Sequence, residues 1–236
     1  MATGLIIFAR MGSSRLPGKM LLPIAGRPLL GRVLDRARCV KGNCPIVVAT
    51  SIETGDDAIE QFVRAEGVDA FRGSHDDVAA RALACCEAHG FERFARICGD
   101  RPFLPWELID ALLATAEQQD LDLASNVVER TYPAGMTTEI VATRALRRVL
   151  ELTFDREDRE HLTRYIYAKP KEFRVANRGS GQQGWQRLNL AIDDQFDVER
   201  TEWILARLGP GPERARLEQV IGLAMEWNRA KEIRTS

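Results

Sequence analysis

One pattern repeats four times in the first 120 residues: a run rich in apolar residues, a connection, then a stretch with apolar residues at helical spacing. The runs are residues 5–9 (LIIFA), 45–50 (PIVVAT), 68–72 (VDAFR) and 94–98 (FARIC). Short apolar runs bounded by loop residues are expected of strands buried on both faces. Helices are predicted after each run. The first starts at Pro28, with Leu29, Leu30, Val33, Leu34 and Ala37 on one face; the others cover 56–66, 76–89 and 105–119. Strand–helix alternation predicts an α/β fold whose mostly parallel sheet is covered on both sides. Right-handed crossovers make such a sheet doubly wound and place the ligand crevice at the carboxyl ends of its strands.

The pattern changes after residue 120. Residues 121–127 and 137–142 are expected as strands with no helix between them, 143–152 and 159–168 as helices, and 173–176 and 185–192 as strands again. Residues 125–185 are expected to form an inserted, partly antiparallel lobe within a single domain spanning 1–236. Residues 178–184 (RGSGQQG) are expected as a flexible connection. Two helices, 196–208 and 214–233, complete the chain; the second carries Leu217, Val220, Ile221, Ala224 and Trp227 on one stripe.

Charge and cysteine usage narrow the function. The 33 Lys and Arg nearly balance 34 Asp and Glu, and no basic run provides a footprint for nucleic acid or an anionic membrane. The five cysteines include no CxxC pair, so neither a disulfide framework nor a zinc site is expected. Residues 5–9 are too short a run for a membrane span or a signal core, and a cytoplasmic protein is expected.

Residues 10–19 (RMGSSRLPGK) form a Gly/Ser loop leaving the first strand at the ligand edge. Amides at Gly12, Ser13 and Ser14 can form an anion nest, and Arg10, Arg15 and Lys19 can neutralise a triphosphate. The loop is not a Walker A sequence: five residues separate Gly12 from Gly18, and Met20 replaces Ser/Thr. It also lacks the glycines of a dinucleotide fingerprint. On spacing alone a solvated basic loop is an open alternative. Asp100 follows the fourth run and Asp193 follows the apolar stretch 188–192, so two distant carboxylates can converge on the crevice and suit Mg²⁺. On the same residues, each can equally be a turn or helix cap.

Residues 10–19 and the following 20–30 (MLLPIAGRPLL) closely resemble the signature of the cytidylyltransferases that make CMP-activated sugar acids. These include CMP-Kdo synthetases, acylneuraminate cytidylyltransferases and their spore-coat polysaccharide relatives. The resemblance continues at 47–51 (VVATS), 71–81 (FRGSHDDVAAR), 96–103 (RICGDRPF), 125–140, 158–161 (DREH) and 188–199 (LNLAIDDQFDVE). It implies a nucleotide-diphospho-sugar transferase-like fold, CTP and a sugar acid as substrates, Mg²⁺ as cofactor, and a homodimer formed through the inserted lobe. It assigns Arg10, Lys19 and Asp100 to catalysis. Nucleotide binding falls to Arg10, Gly12, Ser13, Arg15, Lys19, Ser74, Asp77, Arg81 and Cys98, and the metal to Asp100 and Asp193. Tyr132, Glu139 and His161 are the candidates for the sugar. Two positions depart from the pattern. Cys98 stands where CMP-Kdo synthetases usually carry Gln, and Asp194 follows Asp193 where relatives often have Thr or Ser. A guanylyl-, uridylyl- or thymidylyltransferase on the same fold, and a non-catalytic nucleotide-sugar binder, are the alternatives.

Overall fold

The computed structural model describes residues 2–235. In chain order the elements are β1 (Thr3–Phe8), the two-residue strands β2 (Pro23–Ile24) and β3 (Arg27–Pro28), α1 (Leu29–Ala37), β4 (Ile46–Ser51), α2 (Asp57–Ala65), β5 (Asp69–Gly73), α3 (Val78–His89), β6 (Arg93–Cys98) and α4 (Trp106–Gln118). The second half adds β7 (Leu123–Ser125), β8 (Glu139–Ala142), α5 (Thr143–Leu152), α6 (Arg156–Glu160), α7 (Arg164–Ala168), β9 (Val175–Asn177), α8 (Gln195–Leu208) and α9 (Leu217–Thr235).

Seven strands form one sheet in the order β5-β4-β1-β6-β8-β7-β9, while β2 and β3 pair separately. β1, β4, β5 and β6 are mutually parallel neighbours, β8 runs antiparallel to both β6 and β7, and β7 pairs with β9 in parallel. The sheet is thus mostly parallel, with helices on both faces. Strand alternation divides the core accordingly. Leu5, Ile7, Ala95 and Ile97 face a cluster completed by α1, α2, α4, α8 and α9. Ile6, Val47 and Phe94 face the opposite cluster, completed by α3, α5 and α7. Both sides of the central strands are therefore dry, which is why their sequences are continuous apolar runs. The segment 125–185, expected as an inserted lobe, contributes β8 and β9 to this sheet, and α5 packs against α3. Among the described residues no helix is long and apolar enough to cross a membrane. The cysteines are free, and burial pushes the thiols of Cys85 and Cys86 up, to about 12 and about 11.

Two expected elements differ. The helix predicted over 159–168 is broken into α6 and α7 around His161. The break turns Thr163 inward, where its hydroxyl donates to the buried Glu139 at 2.6 Å. The strand predicted over 185–192 is instead a 3₁₀ turn at Trp185–Arg187 followed by an extended segment with one bridge, between Asn189 and Ala134. Its backbone divides between two partners: Leu190 N–H donates to Ala134 C=O at 2.8 Å, and Ile192 N–H to Asp100 C=O at 3.0 Å. The second bond draws the chain beside the end of β6.

Gly135 lets these segments meet. Its φ is +86°, and a Cβ there would fall 2.3 Å from the Ala191 nitrogen. Gly135→Ala is expected to destabilise the fold by about 2 kcal/mol or more, from overpacking and a strained backbone together. Urea unfolding measures this directly, and an unchanged midpoint would show that the segments separate freely.

Candidate active site

The loop between β1 and Lys19 is held by its own backbone and by one buried acid. Gly18 adopts φ +72°, and its N–H donates to Met11 C=O at 3.2 Å, closing the loop on itself. Met11 N–H donates to Asp56 Oδ1 at 2.6 Å, and the Ser51 hydroxyl donates to Asp56 Oδ2 at 2.5 Å. Burial pushes the Asp56 carboxyl up, but these donors outweigh it and hold it below the usual range. The amides of Gly12, Ser13 and Ser14 donate to no group among the described residues, and a Cβ at Gly12 would meet nothing within 4 Å. These three amides are therefore unspent by the protein's own packing.

Asp56 was not among the sequence-derived candidates, because nothing near it in sequence marks a partner 45 residues away. Asp56→Asn is expected to cost about 1–3 kcal/mol of stability at neutral pH by loosening the loop. The folded carboxyl lies below its unfolded value of 3.8, so its contribution is present above that value and is lost as pH falls through the folded one. Thermal unfolding of the two proteins from pH 7 to pH 3 should show their difference shrinking toward the acid end. A constant gap would remove the charge from the explanation.

Lys19 starts the 3₁₀ turn that follows Gly18 and is 7% exposed. Its Nζ donates to Asp100 Oδ2 at 3.0 Å, Asp193 Oδ1 at 3.1 Å and Ile192 C=O at 2.8 Å. All three ammonium protons are thus engaged. Gly99 permits this approach: a Cβ there would lie 3.0 Å from Met20 Sδ and 3.1 Å from Ala9 Cβ. Asp193 also meets Arg15 Nη2 at 3.1 Å. Asp194, by contrast, caps α8: its carboxylate accepts from Asp197 N–H at 3.0 Å, and Asp197 reciprocates to the Asp194 N–H. Asp193 therefore faces the crevice while its neighbour starts the helix. Among the described residues no group of three or more His, Cys, Asp or Glu could hold a metal. Two converging carboxylates suit a hard dication that takes its other oxygens from phosphate and water.

Two cavities meet here. The first, about 400 Å³, is lined by Arg10, Gly12, Ser13, Arg15, Lys19 and Arg81 among others. The second, about 590 Å³, is lined by Arg101, Arg130, Thr137, Glu139, Arg164 and Asp193 among others. Arg96, Cys98, Asp100 and His161 line both. Arg10 reaches Glu160 at 3.6 Å across the first cavity. Arg81 is buried beside Phe8 and donates to Ser74 C=O at 2.6 Å; burial lowers its pKa. Ser74 and Asp77 are not in the wall. Ser74 Oγ accepts from Asp77 N–H at 3.0 Å, while Asp77 caps α3 and accepts from Arg159 at 2.8 Å.

The three sugar candidates part company. His161 is exposed on the shared wall. Glu139 lines the second cavity but is buried and bound by Arg96, Thr163 and Tyr167. Tyr132 is not brought to either cavity. It is 8% exposed and packs against Trp185, with ring centroids 6.2 Å apart. The residues missed from sequence are Arg96, Arg101, Arg130 and Arg164. Arg96 carried a signal: a cation inside the apolar run FARIC is costly unless paired or used.

Residues 5–221 match a family model described as cytidylyltransferase. The spore coat polysaccharide biosynthesis protein SpsF of Bacillus subtilis is 30% identical over 221 residues, 91% of each chain. A 3-deoxy-manno-octulosonate cytidylyltransferase of Acinetobacter baumannii is 38% identical over 110 residues, 44% of this chain and 42% of the relative. Among solved structures, a cytidylyltransferase from Leptospira borgpetersenii superposes with a TM-score of 0.91 at 27% identity, covering 98% of this chain and 96% of that one. A CMP:2-keto-3-deoxy-manno-octonic acid synthetase complexed with CTP shares the fold, with a TM-score of 0.67 at 21% identity over 88% of this chain and 99% of that one.

Proposed function

The chain belongs to the cytidylyltransferase family, and from that premise we propose that it transfers CMP from CTP to a sugar acid with release of pyrophosphate. The observation that carries this reading is the convergence of Asp100 and Asp193 on one cation, Lys19 Nζ, where two cavities join. In this reading the first cavity takes the triphosphate and the second the acceptor. Asp100 and Asp193 would hold Mg²⁺, which neutralises charge on the phosphates undergoing transfer. Arg10, Arg15, Lys19 and the free amides of the loop bind the triphosphate. The acceptor hydroxyl attacks the α-phosphorus in line; a new O–P bond forms and the bond to pyrophosphate breaks. No covalent enzyme intermediate is needed, so the protein's work is positioning and charge neutralisation. Arg101 and Arg130 in the second cavity wall have no carboxylate partner among the described residues and favour an acidic acceptor over a neutral one.

The role in surface polysaccharide or glycan assembly, the cytoplasmic setting and the homodimer are parts of the same proposal, supported by the family resemblance. The test needs no acceptor. Calorimetric titration with CTP, UTP, GTP, ATP and dTTP, each with Mg²⁺ and again with EDTA, is expected to show metal-dependent preference for CTP. Preference for another triphosphate would move the function to a different activated sugar, a reading kept open by Cys98, which stands where CMP-Kdo synthetases usually carry Gln. Absence of any binding would leave a non-catalytic relative.

A further inference from the structure

Arg96 and Glu139 face each other across the antiparallel pair β6–β8. Their side chains form an ion pair between Arg96 Nη1 and Glu139 Oε2, with side-chain exposures of 18% and 4%. The other Glu139 oxygen accepts from Thr163 Oγ1 and Tyr167 OH, each at 2.6 Å, and Tyr167 OH also meets Ser125 Oγ at 2.8 Å. Burial pushes the Glu139 carboxyl up, but Arg96 and the two hydroxyls outweigh it and hold it below the usual range. Both Glu139 oxygens are therefore engaged by the protein. A carboxylate so occupied is poorly placed to receive a substrate hydroxyl, and well placed to fix a guanidinium.

Arg96 itself is not fully spent. Its Nε is buried without a partner, as are those of Arg81 and Arg200, yet its side chain keeps 18% exposure. It also lines both cavities. Of the other arginines of the second cavity, Arg101 donates through Nη1 to Thr137 C=O at 2.8 Å, Arg164 pairs with Asp155 and Asp158, and Arg130 is exposed at the surface; of the four, Arg96 is the one that reaches the first cavity as well. A planar fork, held on one edge and unspent on another, matches a planar carboxylate. Arg96 lies on β6 and Asp100 in the turn just beyond it, and both line the two cavities. An acceptor carboxylate held by Arg96 therefore leaves a nearby hydroxyl in the space that Asp100 also lines.

We propose that Arg96, fixed by Glu139, binds the carboxylate of the acceptor and thereby positions its hydroxyl at the phosphorus; this rests on the nucleotidyl-transfer reading above. Arg96 is then the group that favours an acid, and Glu139 acts through it as a positioning residue.

The test is steady-state pyrophosphate release with Mg²⁺ and CTP against a panel of sugar acids and the matching neutral sugars, with CTP affinity measured separately by calorimetry. The wild-type protein is expected to turn over a carboxylated acceptor. Arg96→Gln should raise the acceptor KM or lower kcat/KM at least tenfold with CTP affinity unchanged, and Arg96→Lys should restore part of the loss. Because Arg96→Gln leaves a buried carboxylate unpaired, the double variant Arg96→Gln/Glu139→Gln removes both charges. If Arg96 only balances Glu139, the double variant recovers wild-type acceptor kinetics, and the proposal falls. If Arg96 binds the acceptor, the double variant folds and remains defective. Loss of CTP affinity in Arg96→Lys, or a panel in which only neutral sugars or none are turned over, also overturns it. Failure of CTP to bind the wild-type protein would instead overturn the nucleotidyl-transfer reading itself.

Discussion

Replacing Asp100 with alanine is expected to slow pyrophosphate release by about 10²-fold or more while the protein remains folded, as for loss of a major electrostatic group at a reacting centre. The expectation follows from its position. Asp100 lies just beyond β6, lines both cavities, and has one oxygen 3.0 Å from Lys19 Nζ. A turn cap would show its carboxylate bound to nearby backbone amides; the hydrogen bond found for this one is to a side chain 81 residues away. Asp193 and Asp194 supply an internal control. Asp193→Ala should behave like Asp100→Ala. Asp194→Ala removes the α8 cap and should lower stability by about 1 kcal/mol with a much smaller effect on turnover. Pyrophosphate release and thermal unfolding on the three variants separate the roles. Near-normal turnover of a folded Asp100→Ala protein would remove this aspartate from the chemistry.

Lys19→Ala is expected to lose turnover on a similar scale, about 10²-fold, for a different reason. Its ammonium is buried and meets two carboxylates and one carbonyl. Removing it takes away the cation that the two aspartates share and leaves like charges facing each other in a half-buried site. Lys19→Arg is not expected to rescue, since a planar fork cannot donate to three oxygens arranged around one point. Single-turnover measurement at saturating CTP would separate weakened binding from slowed transfer. A wild-type rate in either variant would mean that the lysine merely props the loop.

The parallel half of the sheet was legible because burial on both faces writes itself as uninterrupted apolar runs. Residues 5–9, 45–50 and 94–98 correspond closely to β1, β4 and β6. The second half was less so, for reasons of length. β7 and β9 have three residues each and β8 has four, too few to show a period. The segment before Asp193 alternates like a strand, yet its backbone bonds are shared between Ala134 and Asp100. Spacing cannot reveal such a division. The loop residues from Arg10 to Lys19 were visible because glycine, serine and cations cluster there. Glu139 and Tyr132 were named as sugar groups by resemblance. The structure encloses the first in an ion pair and hydroxyl network, and packs the second at a tilt against Trp185 outside both cavities. Neither burial nor cross-strand pairing of a single polar residue is written in its immediate neighbours.

The three charges at the centre are widely spaced along the chain: 81 residues separate Lys19 from Asp100, and 174 separate it from Asp193. At ordinary rates of translation, the 93 residues between the two aspartates take roughly 5–20 s to synthesise. Throughout that interval a nascent chain holds the loop from Arg10 to Lys19 and Asp100 without the second carboxylate. Closing so long a loop is also entropically unfavourable until the surrounding packing rewards it. Competence for transfer is therefore among the last properties the chain acquires, and a ribosome-stalled fragment ending before Asp193 would be mute in any assay of pyrophosphate release.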